Sequence, residues 1–193
     1  MSCFVPVALA HASRLINHGP TVLVTTAHNG RRNIMAAAWS MPVEFTPPRI
    51  AIVIDKRTLT KEMIAASGVF AVCIPGVAQA KLTYAVGTCS GRDVDKFAHY
   101  AIDAATGPVT GVPVLELGCS AWMECRLIPE AHTEQAYDTC FAEVVSAAAD
   151  PCIFCEGHWN VDERNGDLHT IHHVGAGKFV SGGGMFGVGA NNV

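Results

Sequence analysis

The feature that most constrains this chain is the dipeptide Asn29-Gly30, which closely follows the apolar, β-branched run at residues 22–26. Asn-Gly is the preferred pair for a two-residue hairpin turn, because both turn positions need a positive φ angle. The sequence therefore predicts two antiparallel strands, over residues 21–27 and 32–40. The second strand is rich in alanine, which alone favours a helix, but the turn overrides that preference. Small side chains there also allow a flat ligand or another backbone segment to come close.

Further strands are predicted wherever apolar residues run together or alternate. They cover residues 50–55, 70–74, 121–128, 140–147 and 153–159. Asn165-Gly166 predicts a second hairpin turn, into a strand over residues 168–174. Pro47 and Pro48 predict a loop over residues 44–49, because proline cannot donate to a strand ladder, and residues 103–113 are predicted as another loop.

Short helices are predicted for the segment that ends at Gly19 and for residues 60–67, 78–86 and 92–100. Thr58 or Thr60 can cap the second of these helices and Gly68 ends it, while Gly87 ends the third. The glycine-rich end, residues 182–189, is expected to be flexible or ordered by a partner. Many antiparallel strands with a few short helices are typical of a closed β-barrel with helices on its outside.

Composition limits the classes of function. With 193 residues, 50% of them apolar and 16% charged, the chain is expected to form one domain over residues 1–193 with a large core. The net charge of -4 offers no basic field for nucleic acid. No apolar run reaches the roughly 18 residues of a membrane span, and the N-terminus lacks the positive leader of a signal peptide, so we expect a cytoplasmic protein. The low share of charge also indicates apolar surface buried between subunits.

The chain has eight cysteines, which a reducing compartment keeps as thiols. Cys73, Cys125 and Cys140 lie in apolar, strand-like runs, so we expect them to pack in the core. Cys152 and Cys155 form the only close pair, which is half of a zinc site without a second pair of matching spacing. A metal or redox role for this pair is the alternative to an ordinary strand.

The histidines suggest a second possible metal site. His169, His172 and His173 fall in one strand-like run, where His169 and His173 share a face. Carboxylates and a third ligand are not evident beside them. We therefore predict no metal site in this chain.

An anion site is predicted where the strand over residues 50–55 meets the following helix. Lys56, Arg57, Thr58 and Thr60 place two cations and two hydroxyls at that junction. The free N–H groups of a helix N-terminus favour a phosphate there, although simple capping would need only one threonine. The chain has no phosphate-loop glycine pattern, no Gly-x-Gly-x-x-Gly after the first strand and no Gly-x-Ser-x-Gly elbow. These absences exclude the usual nucleotide folds and argue against a serine hydrolase.

The order of the short motifs resembles one known family. The motifs are Pro20-x-Val22-x-x-Thr25-Thr26, Asn29-Gly30-x-x-Asn33-x-Met35-x-Ala37-x-Trp39, Pro47-Pro48, Thr58-x-Thr60, Ser67-Gly68-x-Phe70, Ser90-Gly91-Arg92-Asp93-x-Asp95-Lys96-Phe97, Gly111-x-Pro113-x-Leu115 and Ala121-Trp122-x-Glu124-Cys125. In this order they resemble the flavin reductase-like, FMN-binding split-barrel proteins, which include the flavoredoxins. The resemblance covers roughly residues 16–180.

This resemblance implies a mainly β, Greek-key split barrel with a few short helices and a bound FMN. It implies that three segments form the flavin site. The first lines the isoalloxazine ring, the second binds the phosphate, and the third approaches the flavin, in some members across a subunit boundary. The residues are, in that order, Asn33, Ala36, Ala37, Ala38, Trp39 and Ser40; Asp55, Lys56, Arg57, Thr58 and Thr60; and Ser90, Gly91 and Lys96.

The implied activity is that of a homodimeric oxidoreductase. Hydride passes from NAD(P)H to the flavin, and electrons pass on to an acceptor such as a redox partner or a monooxygenase. No catalytic side chain is implied, because the cofactor carries the chemistry. The alternative is a non-catalytic flavin-binding electron carrier that works only with a redox partner. Whether FMN is a prosthetic group or a substrate stays open.

Overall fold

The computed structural model describes residues 4–12, 15 and 20–186. Its central feature is an eight-stranded antiparallel sheet. The strands are β1 (Val5–Pro6), β2 (Val22–His28), β3 (Arg31–Ala37), β4 (Ser40–Phe45), β5 (Pro48–Val53), β6 (Val69–Pro75), β7 (Ala105–Thr106), β8 (Pro113–Val114), β9 (Cys119–Ile128), β10 (Thr139–Ala149), β11 (Phe154–Cys155), β12 (His158–Trp159), β13 (Ile171–Gly175) and β14 (Lys178–Ser181). The helices are α1 (Leu9–Ala12), α2 (Leu59–Ser67), α3 (Ala80–Thr88), α4 (Lys96–His99) and α5 (Ala131–Tyr137), with 3₁₀ turns at Val77–Gln79 and Glu163–Leu168.

The large sheet runs in the order β3-β2-β6-β9-β10-β5-β4, and β1 pairs with β10. β7 with β8, β11 with β12 and β13 with β14 form three separate two-stranded ribbons. No helix in the described part of the chain is long and apolar enough to cross a membrane. The prediction of a mainly β fold with a few short helices is confirmed.

The central strands are buried on both faces, which explains their continuous apolar sequences. On β6, Phe70, Val72 and Ile74 point into one apolar cluster, whereas Ala71 and Cys73 point into another on the opposite face. The first cluster also receives side chains from β5, β9 and β10. The second is covered by α3, α4 and the loop before β9. Two-sided burial requires apolar residues at consecutive positions rather than at alternate ones.

The opening hairpin is confirmed, with φ angles of 49° at Asn29 and 77° at Gly30. The return strand ends at Ala37, earlier than predicted. After Trp39 the chain starts β4, which pairs with β5 instead of β2. The predicted loop over residues 44–49 is therefore wrong, because Phe45 pairs with Pro48 across a tight turn. Pro48 is tolerated there because it is the first residue of its strand.

Helix α2 forms as predicted. Thr58 is its N-cap, and Gly68 closes it with a φ of 73°. The next helix is shifted by two residues from its predicted range of 78–86, because α3 begins at Ala80 and continues through Gly87 to Thr88. The helix predicted over residues 92–100 is shorter than expected. Only Lys96–His99 is α-helical in the predicted range 92–100, because Asp95 caps the helix from within that range. Helix α5 was not predicted.

The later strand predictions are partly wrong. Residues 153–159 form a small hairpin rather than one strand, since Glu156 and Gly157 turn the chain with positive φ angles. Asn165-Gly166 makes no hairpin turn and lies in a 3₁₀ turn that starts with a capping box from Asp162. The hairpin that does form turns at Ala176-Gly177, between β13 and β14. The tail has no regular structure over residues 182–186, and residues 187–189 lie outside the described part.

Cys73, Cys125 and Cys140 are fully buried, as predicted, and the seven described cysteines are free. Cys152 and Cys155 are exposed. His169 precedes β13, so it does not share a strand face with His173 as expected. Among the described residues, no three His, Cys, Asp or Glu side chains are grouped so that they could hold a metal ion.

Candidate functional site

A cleft of about 440 Å³ opens between β3, the loop from β5 to α2, the end of α3 and the loop that leads to α4. It brings together three segments that are far apart in sequence. The residues that line it are Asn33, Met35, Ala36, Asp55, Arg57, Thr58, Leu59, Thr60, Val86, Gly87, Thr88, Cys89, Ser90, Gly91 and Lys96. Nine of these, namely Asn33, Ala36, Asp55, Arg57, Thr58, Thr60, Ser90, Gly91 and Lys96, are predicted site residues.

The N-terminus of α2 forms one end of the cleft. Thr58 Oγ1 accepts a hydrogen bond from Lys61 N at 3.1 Å and donates to Asp55 O at 2.8 Å, so this hydroxyl is used by the cap itself. Thr60 Oγ1 accepts a hydrogen bond from Asn33 Nδ2 at 2.8 Å. The Thr60 hydroxyl keeps its own hydrogen for another acceptor. Since Leu59 and Thr60 occupy the first helical positions, their N–H groups have no intrahelical partner.

Two charged side chains stand at the rim of this end. Arg57 Nη2 lies 2.7 Å from Asp55 Oδ2, and the Arg57 side chain is 86% exposed. The hydrogen bonds from the Arg57 side chain and backbone lower the pKa of Asp55 to about 2. Lys56 does not line the cleft. Its Nζ donates to Gln135 O at 3.0 Å, because the chain turns this side chain toward α5.

Gly91 and Asn33 are in close contact at the middle of the cleft. A Cβ atom added to Gly91 would lie 2.1 Å from Asn33 Oδ1. Only glycine lets this loop approach β3 so closely. The amide of Asn33 is thus held between Gly91 on one side and Thr60 on the other.

Lys96 is a buried cation in the wall of the cleft, only 4% exposed. Its Nζ donates to Ile34 O at 2.9 Å and to Val86 O at 2.6 Å. None of the salt bridges found in the described residues involves Lys96. Burial lowers its pKa. An ammonium group has three N–H donors, so one donor remains for a ligand.

A second, smaller pocket of about 190 Å³ adjoins the cleft and shares Ala36, Gly87 and Thr88 with it. The other residues that line it are Thr21, Ala37, Ala38, Thr83, Tyr84, His173 and Phe179. The ring centroids of His173 and Phe179 are 5.1 Å apart, and those of Tyr84 and His173 are 6.5 Å apart. We call this the aromatic pocket.

Thr83 gives the aromatic pocket an unsatisfied polar group. The residue is 1% exposed, and its Oγ1 has no hydrogen-bond partner among the described residues. Unpaired buried hydroxyls are uncommon in native structures. A ligand with a polar edge could satisfy this group.

The sequence reasoning missed Thr83, Tyr84, His173 and Phe179. The Ala176-Gly177 turn, between two strands that carry aromatic rings, was the signal that could have indicated them. Three predicted residues, Lys56, Trp39 and Ser40, lie outside both cavities. Trp39 is 74% exposed, and Ser40 starts β4 with a buried Oγ that has no partner.

A mainly β fold in which a helix N-terminus and a strand wall of small side chains line one cleft fits the class that the sequence motifs resemble, the FMN-binding split barrels. The comparisons with known proteins agree with this class. Residues 14–159 match the sequence model of the flavin reductase like domain family. The chain is 58% identical over 185 residues to the uncharacterized protein YddH of Escherichia coli (strain K12), which covers 95% of this chain and 97% of YddH.

Two solved structures extend the comparison. The FMN-binding domain of a flavin reductases-like enzyme from Shewanella baltica OS155 matches with a TM-score of 0.93 and 40% identity, over 97% of this chain and 98% of that one. Flavoredoxin of Desulfovibrio vulgaris (Miyazaki F) matches with a TM-score of 0.74 and 22% identity, over 90% and 92% of the two chains, which supports the fold alone. The chain therefore belongs to the flavin reductase like domain family, and the predicted split-barrel fold is confirmed.

Proposed function

We propose that this chain binds FMN across the cleft and the aromatic pocket and acts as an NAD(P)H-dependent flavin oxidoreductase. The observation that carries the proposal is the continuity of the two cavities through Ala36, Gly87 and Thr88. One end presents hydrogen-bond donors and a buried cation, and the other presents aromatic rings. A flavin mononucleotide has the matching polarity, with a phosphate at one end and a flat ring at the other.

The phosphate would be held at the α2 end of the cleft. The Thr60 hydroxyl, the N–H groups of the first turn of α2 and the guanidinium of Arg57 are the donors there. Helix N-termini bind phosphates through such N–H groups and the helix dipole. Lys96 adds a buried positive charge that pairs with no carboxylate among the described residues, so a ligand anion would complete its environment.

The ring would lie against residues 36–38. Their small side chains leave the strand accessible, and Thr83 offers its unpaired Oγ1. The redox chemistry, uptake of a hydride from NAD(P)H and delivery of electrons to an acceptor, would be supplied by the flavin. The chain's own part is to bind, to orient and to exclude water, and for this it needs no general acid.

The non-catalytic electron carrier is the second candidate. It would use the same two cavities, because the flavin carries the redox chemistry in both functions and the protein supplies binding and orientation. Steady-state oxidation of NADH or NADPH with added FMN separates the two functions. A reductase turns over repeatedly without another protein, whereas a carrier needs its redox partner.

We also propose a homodimer, and the support for it comes from β4. Among the described strands, β4 is an edge of the large sheet and pairs with β5 alone. Four large apolar side chains on it or beside it are exposed: Trp39 by 74%, Met41 by 57%, Val43 by 40% and Phe45 by 70%. Such a cluster on an edge strand is a liability unless it is covered. A second copy of the chain is the partner that would always be present to cover it.

A cytoplasmic location fits the same proposal. The seven described cysteines are free thiols, and two of them, Cys152 and Cys155, are exposed. Reducing compartments keep such thiols free, whereas secreted proteins usually oxidise them. Alkylation of intact cells with a membrane-permeant and a membrane-impermeant reagent would test this location.

Titration with FMN tests the proposed function directly. Quenching of flavin fluorescence should saturate at one FMN per chain. Lys96→Met keeps the aliphatic length and removes the buried charge, so FMN affinity should fall roughly tenfold to a hundredfold, or about 1.4–2.8 kcal/mol. Lys81→Met on the outer side of α3 is the matched control, because Lys81 lines neither cavity. Absence of quenching by the wild-type protein, or equal affinity of the Lys96 and Lys81 variants, would overturn the proposal.

A further inference from the structure

A buried cluster behind the α2 end of the cleft contains an amine, a thiol and a carboxylate. Lys61 Nζ lies 3.0 Å from Cys140 Sγ and also donates a hydrogen bond to Glu134 Oε2. Lys61 is 8% exposed and Cys140 is fully buried. The side chains of Lys61 and Glu134 are 10% and 16% exposed, so the thiol lies one layer below the surface. The proposed flavin chemistry does not use this cluster.

The three groups come from separate elements. Lys61 is in the first turn of α2, Glu134 is in α5, and Cys140 is near the start of β10, opposite Ile52 of β5. Burial raises the pKa of the Cys140 thiol, and the neighbouring Lys61 ammonium opposes this shift. Glu134 is the proton acceptor that contacts the Lys61 ammonium. Burial opposes both shifts, but their hydrogen bond raises the pKa of Lys61 and lowers the pKa of Glu134, so the pair is charged at rest. The amine becomes a nucleophile beside the sulfur only when its proton passes to Glu134.

We propose that Lys61 and Cys140 form an oxidative modification site, at which hydrogen peroxide joins Nζ to Sγ in a sulfenamide cross-link. In the first step the thiol attacks peroxide, the O–O bond breaks, an S–O bond forms, and one water leaves. In the second step the Lys61 amine attacks the sulfenic sulfur, an S–N bond forms, the S–O bond breaks, and a second water leaves. Sulfur loses two electrons and peroxide gains them. One thiol, one amine and one peroxide give one sulfenamide and two waters.

The contact distance makes Lys61 the first nucleophile that an oxidised Cys140 meets. Two other core thiols have backbone partners instead of an amine, since Cys125 Sγ donates to Met123 O and Cys73 Sγ accepts a hydrogen bond from Leu115 N. Oxidation of these two thiols would end as a sulfenic, sulfinic or sulfonic acid, or as a disulfide with another thiol. The same dose of peroxide should therefore produce different products at Cys140 and at these two cysteines.

The cross-link would act on the phosphate end of the cleft. Lys61 N donates the capping hydrogen bond to Thr58 Oγ1, so Lys61 belongs to the same helical turn as the proposed anion site. Its conversion to a neutral sulfenamide removes one positive charge from that turn. We expect weaker FMN binding after oxidation, and this consequence, unlike the cross-link itself, rests on the proposed function. Reaction of dioxygen with a reduced flavin in the cleft would then supply the peroxide close to this cluster.

Peptide mapping of the full chain tests the cross-link without any flavin. Purified protein is treated with hydrogen peroxide, blocked with an alkylating reagent and digested without a reductant. The expected product is one linked pair, with Lys61 in one peptide and Cys140 in the other, whose mass equals the sum of the two peptides less two hydrogens. Trypsin should fail to cleave after the linked Lys61. A thiol reductant should separate the pair again.

Two variants and an internal control complete the experiment. Lys61→Arg keeps the positive charge and the hydrogen-bond donor, but its guanidinium is a poor nucleophile, so the link should be absent. Glu134→Gln removes the proton acceptor and should slow the formation of the link severalfold. Oxidation of the exposed Cys152 and Cys155 is the internal control, because it shows that the peroxide has reacted with the protein. Recovery of Cys140 as a free thiol or as a sulfinic acid, with Lys61 unlinked, would overturn the inference whatever the outcome of the FMN titration.

Discussion

The close contact between Gly91 and Asn33 makes Gly91→Ala a sharp test of how the site is built. The added Cβ would lie 2.1 Å from Asn33 Oδ1 and 2.8 Å from Asn33 Cγ. Because real contacts of this kind are about 3.4 Å or longer, the Asn33 amide or the loop must move by about 1 Å. Asn33 is 3% exposed and donates to Thr60 Oγ1 at 2.8 Å, so a shift of that size breaks this hydrogen bond.

Two effects of Gly91→Ala lower the free energy of unfolding. Overpacking in a tight site costs about 1–3 kcal/mol, and the lost hydrogen bond costs about 1 kcal/mol. The sum, about 2–4 kcal/mol, corresponds to a fall in the melting temperature of roughly 4–16 °C for a chain of this size. FMN affinity should also fall by roughly tenfold, since Thr60 and Gly91 both line the cleft.

Thermal unfolding and FMN titration measure the two effects. Gly166→Ala is the matched control, because nothing lies within 4 Å of its added Cβ, and its effect should stay within about 0.5 kcal/mol. In an Asn33→Ala background the obstructing amide is absent, so Gly91→Ala should cost much less there. A Gly91 variant as stable as the Gly166 variant, or a penalty unchanged by Asn33→Ala, would refute the reasoning.

The remaining predictions use the same structure. Thr58→Val removes the cap of α2 and should cost about 1 kcal/mol of unfolding free energy while weakening FMN and riboflavin alike. Thr60→Val should instead weaken FMN roughly tenfold more than riboflavin, which lacks the phosphate, and equal losses would argue against a phosphate site. Met41→Asp places a charge in the exposed apolar cluster and should convert the dimer to a monomer in light scattering, which an unchanged dimer mass would contradict. The pKa of Asp55, lowered from 3.8 to about 2, adds stability above pH 3.8 that disappears as the pH falls toward 2, and Asp55→Asn should abolish that part of the acid-unfolding profile.

Local signals in the sequence determined the start of the fold. Asn29 and Gly30 specify a turn because few other residues adopt positive φ angles cheaply. Thr58 and Gly68 delimit α2 for equally local reasons, a side-chain cap and a left-handed closing residue. The order of the short motifs was sufficient to identify the family. The failures at Asn165 and Gly166 show the limit of such signals, because a capping box from Asp162 used the same residues for a different turn.

Only the tertiary structure decided which side chains meet. Tyr84 from α3 joins His173 and Phe179 from the last hairpin in one pocket, and no local pattern connects them. The cluster of Lys61 and Cys140 depends on the packing of α2 beside β10, across 79 positions of the chain. The sequence also suggested equal roles for Lys56 and Arg57, whereas the structure turns Lys56 toward α5 and leaves Arg57 at the cleft. Turns and caps are set by backbone sterics within a few residues, but a site is set by packing between distant elements.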